Sequence, residues 1–95
     1  MPDWEVYYAS TADRAEIDFI LKKGSRVVAV ECKADKSPQL AKGFYTLQET
    51  LKIKEAYVAC PIQGRFPLNL TTSAVGISEL IRVLRKKVLP RKLKV

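Results

Sequence analysis

Three residues in this chain have the types and spacing to do chemistry together: Asp18, Glu31 and Lys33. They sit in two short runs, Glu16–Leu21 and Arg26–Lys33, in which apolar and polar or charged positions alternate. Alternation of this kind marks a strand, because successive side chains point to opposite faces. Gly24-Ser25, between Lys23 and Arg26, is a two-residue hairpin signal, with Gly supplying the positive φ of a type II′ turn. Pairing Lys23 with Arg26 sets Leu21 opposite Val28, Phe19 opposite Val30 and Ile17 opposite Cys32, which makes one apolar face. The other face then opposes Asp18 to Glu31 and Glu16 to Lys33. Directly opposed side chains have Cβ atoms roughly 4.5–5.5 Å apart. Two carboxylates at that distance repel unless a cation lies between them. A hard divalent cation suits such a pair, since it takes carboxylate oxygens and keeps several waters. The alternative is a solvated face in which Lys33 neutralises Glu16 and Glu31, because exposed ion pairs are common and individually weak. The residues alone leave both readings open.

The hairpin has a family likeness. Asp18, then a turn, then Glu31-Cys32-Lys33 at the end of an apolar strand resembles the D…E-x-K core of the PD-(D/E)XK nuclease superfamily. The run YYASTADRAEIDFIL followed by RVVAVECKADKSPQLAKGF is similar to one branch of it. That branch is a nuclease-like domain of unknown function that follows AAA-type P-loop ATPase domains in bacteria and archaea. The resemblance covers residues 5 to 85. It implies Asp18 and Glu31 as ligands of Mg²⁺ or Mn²⁺, and Lys33 as the group that positions water or stabilises charge on a phosphate. Glu16, Gln39 and Lys42 are accessory candidates. The implied activity is metal-dependent hydrolysis of DNA phosphodiester bonds. The alternative is an inactive nucleic-acid- or protein-binding appendage of an ATPase. The chain departs from the pattern in two ways. Only Met1-Pro2-Asp3 precede the first strand-like run, so the first core helix of the superfamily is expected to be missing. No G-x-x-x-x-G-K-[ST] phosphate loop occurs.

Composition narrows the setting. Ninety-five residues, 47% of them hydrophobic, make one domain with a modest core. No apolar run approaches the roughly 20 residues of a membrane span. The first five residues do not read as a signal peptide. Two cysteines in apolar runs, with no histidine in the chain, read as buried reduced thiols rather than a zinc site. A cytosolic protein is expected. The net charge of +7 is unevenly placed: residues 1–79 hold ten Lys/Arg and ten Asp/Glu, whereas 80–95 hold seven Lys/Arg and no acid. Arg82, Arg85, Lys86 and Lys87 are therefore candidates for nucleic-acid contact. A solvated helix end has the same composition.

The elements that must position these groups follow. Trp4–Ala9 is an aromatic and β-branched strand, giving a three-stranded antiparallel meander with the hairpin. Ser37 and Pro38 mark the start of a helix carrying Leu40, Phe44, Leu47 and Leu51. Gln39, Lys42, Gln48 and Glu49 lie off that stripe. Lys54–Pro61 returns as a strand parallel to Val27–Lys33, completing a β-α-β unit. Phe66–Leu70 reads as an edge strand, Thr71–Ser73 as a loop and Val75–Ile77 as a short strand. Ser78 opens a final helix with Leu80, Ile81, Leu84 and Val88 inward, stopped by Pro90. The expectation is an α/β fold, a restriction-endonuclease-like mixed sheet of four or five strands with a crossover helix and a C-terminal helix. Residues 1–90 form one domain and 91–95 a basic tail. Exposed edge strands would allow a homodimer.

Overall fold

A computed structural model describes residues 3–12, 15–36 and 39–85. The chain runs β1 (Glu5–Ser10), β2 (Glu16–Lys23), β3 (Arg26–Cys32), α1 (Lys42–Thr50), β4 (Ala56–Ala59), β5 (Arg65–Pro67), β6 (Thr72–Val75) and α2 (Ile77–Arg85). The strands form one sheet in the order β1-β2-β3-β4-β6-β5. The first three are an antiparallel meander; β3, β4 and β6 are parallel; β5 returns antiparallel on the far edge. The mixed α/β architecture, the β3-α1-β4 crossover and the C-terminal helix are as expected. The sheet has six strands rather than four or five, and its last parallel strand is shifted: Thr72 and Ser73, expected in a loop, are buried in β6, while Ile77, expected in a strand, opens α2. The small side chains of Thr72 and Ser73 fit between β4 and β5, and the Thr72 hydroxyl finds a buried partner in Gln48.

Alternation along β3 divides the core. Val28 and Val30 pack with Trp4, Tyr57, Ala59, Val75, Leu80 and Leu84 on the side of α2. Ala29 packs with Ile17, Phe44, Leu47, Ile53 and Ala56 on the side of α1. The sheet is thus a partition with a helix on each face. The hairpin register matches the sequence reading at Lys23–Arg26, Leu21–Val28 and Phe19–Val30. Gly24 takes φ +61° at the first turn position.

Both helices depart in detail. α1 begins at Lys42, four residues after Pro38, behind an extended Ala41 that offers no side-chain cap. Ser37 and Pro38 lie outside the described residues. Leu40 reaches the α1-side core from extended backbone rather than from the helix. Gly43 allows the start of α1 to press on Ala15, whose Cβ would be only 2.7 Å from a Cβ at that position. Gln48 is buried rather than solvated. Its amide donates to Ile53 O (3.0 Å) and Thr71 Oγ1 (3.0 Å). α1 ends in a Schellman turn: Ile53 N–H bonds Gln48 O and Lys52 N–H bonds Glu49 O, with Lys52 at φ +57°. That turn leaves Leu51 exposed. In α2, Leu80 and Leu84 are buried and Val83 completes the stripe, while Ile81 faces outward. Lys86, Lys87, Val88, Pro90 and the tail lie outside the described residues. Both cysteines are free thiols, but only Cys60 is buried. Cys32 is exposed because β3 has emerged from under the helices at its last residue.

Candidate functional site

The regular β2–β3 ladder stops at Phe19–Val30. One extra residue in β2 is the cause. β1 and β2 pair as Tyr7–Ile20 but then as Ala9–Ile17, so Asp18 and Phe19 together oppose Tyr8. A bulge of this kind bends its strand and re-aims side chains. It turns Ile17 onto the α1 side, where it is buried against Ala29 and Phe44 rather than opposite Cys32. The single apolar face expected for Ile17, Phe19 and Cys32 therefore does not form, and Phe19 stays 45% exposed. Glu16 is likewise not opposite Lys33; it pairs with Ser10 of β1.

Where the ladder ends, carboxylates replace it. The Asp18 N–H donates to Glu31 Oε1 at 3.1 Å, and the Cys32 N–H donates to Asp18 Oδ2 at 2.9 Å. Glu31 is fixed by the amide of Asp18 itself, and Asp18 by the amide of Cys32, which follows Glu31. Asp18 Oδ1 and Glu31 Oε2 receive no hydrogen bond from a protein N–H among the described residues. Glu31 is only 7% exposed. Burial, with the Asp18 carboxylate beside it, pushes its pKa up to about 7, against the opposing pull of the Asp18 amide and Lys33. The same surroundings raise the Cys32 thiol, burial first and then the two carboxylates.

Glu31 faces a cleft of about 610 Å³ between β3 and α1. Glu16, Lys33 and Lys42 line it too, with Thr11 from the β1–β2 loop and Thr46 and Thr50 from α1. Asp18 lies beside this cleft, in a smaller recess shared with Tyr8, Ser10 and Glu16. Lys33 is held by its own backbone, whose N–H bonds Ala59 O at 2.9 Å. The structure thus gathers Asp18, Glu31, Lys33, Glu16 and Lys42 at one end of the sheet. Gln39 is exposed ahead of α1 and does not line the cleft. Arg82 and Arg85 sit on α2, across the sheet from it. Lys86 and Lys87 are outside the described residues. Sequence reasoning misses Thr46 and Thr50, although their positions four and eight residues after Lys42 put them on one helix face.

The donor set can be weighed against the needs of a divalent cation. Among the described residues no group of three or more His, Cys, Asp or Glu side chains comes together closely enough to hold a metal ion. Two adjacent carboxylates do, each with an oxygen that no N–H reaches, and they adjoin an open cleft. That is a sufficient protein contribution for Mg²⁺ or Mn²⁺, which are held by one or two carboxylates plus water and substrate phosphate. The residues fit such an ion.

A family model describing a domain of unknown function, DUF4143, matches residues 2–80. The chain belongs to this family. No curated protein and no solved structure matches it. Among the described residues, no helix is long and apolar enough to cross a membrane.

Proposed function

We propose that the cleft is a metal-dependent phosphodiesterase site of the PD-(D/E)XK type acting on DNA. The observation that carries this reading is the Asp18–Glu31 pair, oriented by two backbone amides and left with one oxygen on each acid that no N–H reaches among the described residues. A buried glutamate beside a second acid, with no guanidinium or ammonium bonded to either among the described residues, is a poor structural choice and a good cation site. A bound divalent cation supplies Lewis acidity toward a phosphate oxygen and lowers the pKa of water. The chain's own residues do the rest. Asp18 and Glu31 would hold the ion. Lys33 sets a positive charge against the phosphate and aids ionisation of Glu31. Lys42, with the Thr50 hydroxyl along the same helix face, would receive the neighbouring backbone.

The test is incubation with supercoiled plasmid in Mg²⁺ and in Mn²⁺, beside Asp18→Asn and Lys33→Ala. Nicking by the wild type that both variants lose, with unchanged thermal melting, is the expected result. No nicking in either metal would overturn the catalytic reading.

A second reading rests on the same hydrogen bonds: the acids complete the β2–β3 ladder and the domain is a binding appendage, for example of an ATPase. In that case Asp18→Asn and Glu31→Gln change stability but leave every binding activity and Mn²⁺ affinity unaltered.

A further inference from the structure

The other face of the partition carries its own cluster. Ser78, Ile81, Arg82 and Arg85 recur on α2 at spacings of three, four and seven, which puts them on one helix face. That face is not the core stripe of Leu80 and Leu84. Edge strand β5 runs beside it and contributes Arg65, a residue that sequence spacing did not single out. Together they line an open groove of about 540 Å³. Arg65 is held in place twice: its Nε donates to Ser73 Oγ at 3.2 Å and its guanidinium lies 5.4 Å from the Tyr57 ring centroid. Arg82 is oriented by Glu79, whose carboxylate accepts from both Nε and Nη2. Glu79 cancels one charge, so three guanidinium groups leave a net charge of two in the groove. From the groove the chain leads into residues 86–95, which hold five Lys/Arg and no acid.

We infer that this groove is a second, metal-independent site for the phosphodiester backbone of nucleic acid, with Arg65, Arg82 and Arg85 as its phosphate-binding groups. Planar guanidinium forks bind phosphate oxygens in a bidentate way that ammonium groups do not. Arginines from two elements, aligned along a helix–strand groove, fit a linear polyanion better than a compact anion. The groove opens on the α2 side, whereas Glu31 faces the α1-side cleft with Asp18 bonded beside it, so its occupancy needs neither those acids nor a cation. The inference stands apart from the catalytic reading: hydrolysis could fail while this site remains.

Fluorescence anisotropy of a labelled DNA oligonucleotide, with EDTA present and at increasing salt, tests it on the full chain. Arg85→Glu and the pair Arg65→Ala with Arg82→Ala should each weaken binding. Removing one phosphate-binding arginine should lower the salt slope by about one. Glu79→Gln should tighten binding by releasing Arg82. Arg85 is exposed at the end of the described helix, so Arg85→Glu keeps the fold and isolates the charge. Unchanged DNA affinity in the arginine variants would overturn the site. So would loss of binding to phosphatidylserine vesicles in those variants while DNA binding persisted, which would make the groove a membrane-binding surface.

Discussion

Glu31 and Glu55 stand at opposite ends of the same pair of parallel strands, and the protein treats them in opposite ways. Glu55 lies just before β4 and meets a bidentate Arg26, with Nε at 2.9 Å from Oε1 and Nη2 at 2.7 Å from Oε2. The Tyr57 hydroxyl donates to the same carboxylate at 2.6 Å. Burial would raise the Glu55 pKa, but the bonds from Arg26 and Tyr57 outweigh it and hold it below the usual carboxylate range. Arg26 also reaches Val83 O of α2 at 3.1 Å and lies against the Trp4 ring, so this network ties the second helix to the sheet. Glu31 has burial without that compensation. Its partners are a backbone amide and another acid, and its pKa rises to about 7. One glutamate is fully bonded and holds elements together. The other is left short of positive charge where the sheet opens into a cleft. Sites that bind cations are built like the second, because the ion supplies what the protein withholds.

The comparison breaks most visibly at Arg26. Arg26→Ala leaves the Glu55 carboxylate half-buried without its cation and frees the α2 carbonyl. Breaking such a pair from one side costs about 2–3 kcal/mol, given its partial exposure. Chemical denaturation should show this as a lower midpoint at unchanged slope. An equal loss from Glu31→Gln would show that the two acids play the same structural role.

Glu31→Gln should instead stabilise the fold at alkaline pH, by about 1–2 kcal/mol. The sign follows from the direction of the shift. A folded-state pKa of about 7 against an ordinary 4.5 means that the native state keeps a proton the unfolded chain has released. Stability from Glu31 is full below pH 4.5 and is lost as pH rises through about 7. Glu55 acts in reverse: its contribution is present above the ordinary carboxylate pKa and is lost as pH falls through its lowered value. Melting temperature against pH should therefore be highest between these windows. Glu31→Gln should flatten the alkaline limb alone. An alkaline limb that persists in this variant would assign the proton elsewhere.

Only the Glu31 side of this contrast is legible in the residues. The alternation of Glu16–Leu21 and Arg26–Lys33, with Gly24-Ser25 between them, fixed the hairpin register from local rules. It also put Asp18 beside Glu31. The inserted residue at Asp18-Phe19 was not legible, because a bulge answers to the neighbouring strand β1 and leaves the local pattern intact. It is what moved Ile17 across the sheet and took Glu16 out of register with Lys33. The late start of α1 was hidden for a similar reason: Ser37-Pro38 is a good local start signal, but the packing of Gly43 on Ala15 is long-range. β6 reads as partly loop from sequence because Thr71-Thr72-Ser73 is polar, and its burial depends on Gln48 reaching it from α1. The Arg26–Glu55 bond joins residues 29 apart, and no spacing rule reveals it.

The smallest expected effect sharpens the contrast most. Tyr57→Phe keeps the ring that Arg65 covers and removes only the hydroxyl bond to Glu55. That bond is part of why burial and Glu55 push the Tyr57 pKa up to about 12, and it helps hold Glu55 low. Losing it should cost about 1 kcal/mol, since the two Arg26 bonds remain. The Glu55 pKa should rise, so the acid limb of the melting profile shifts to higher pH. The alkaline limb belongs to Glu31 and should not move. Independent limbs would show that the two glutamates are separate devices at the two ends of one sheet. If Tyr57→Phe displaced both limbs together, the ends would be electrostatically linked, and the cleft would owe part of its raised pKa to the network below it.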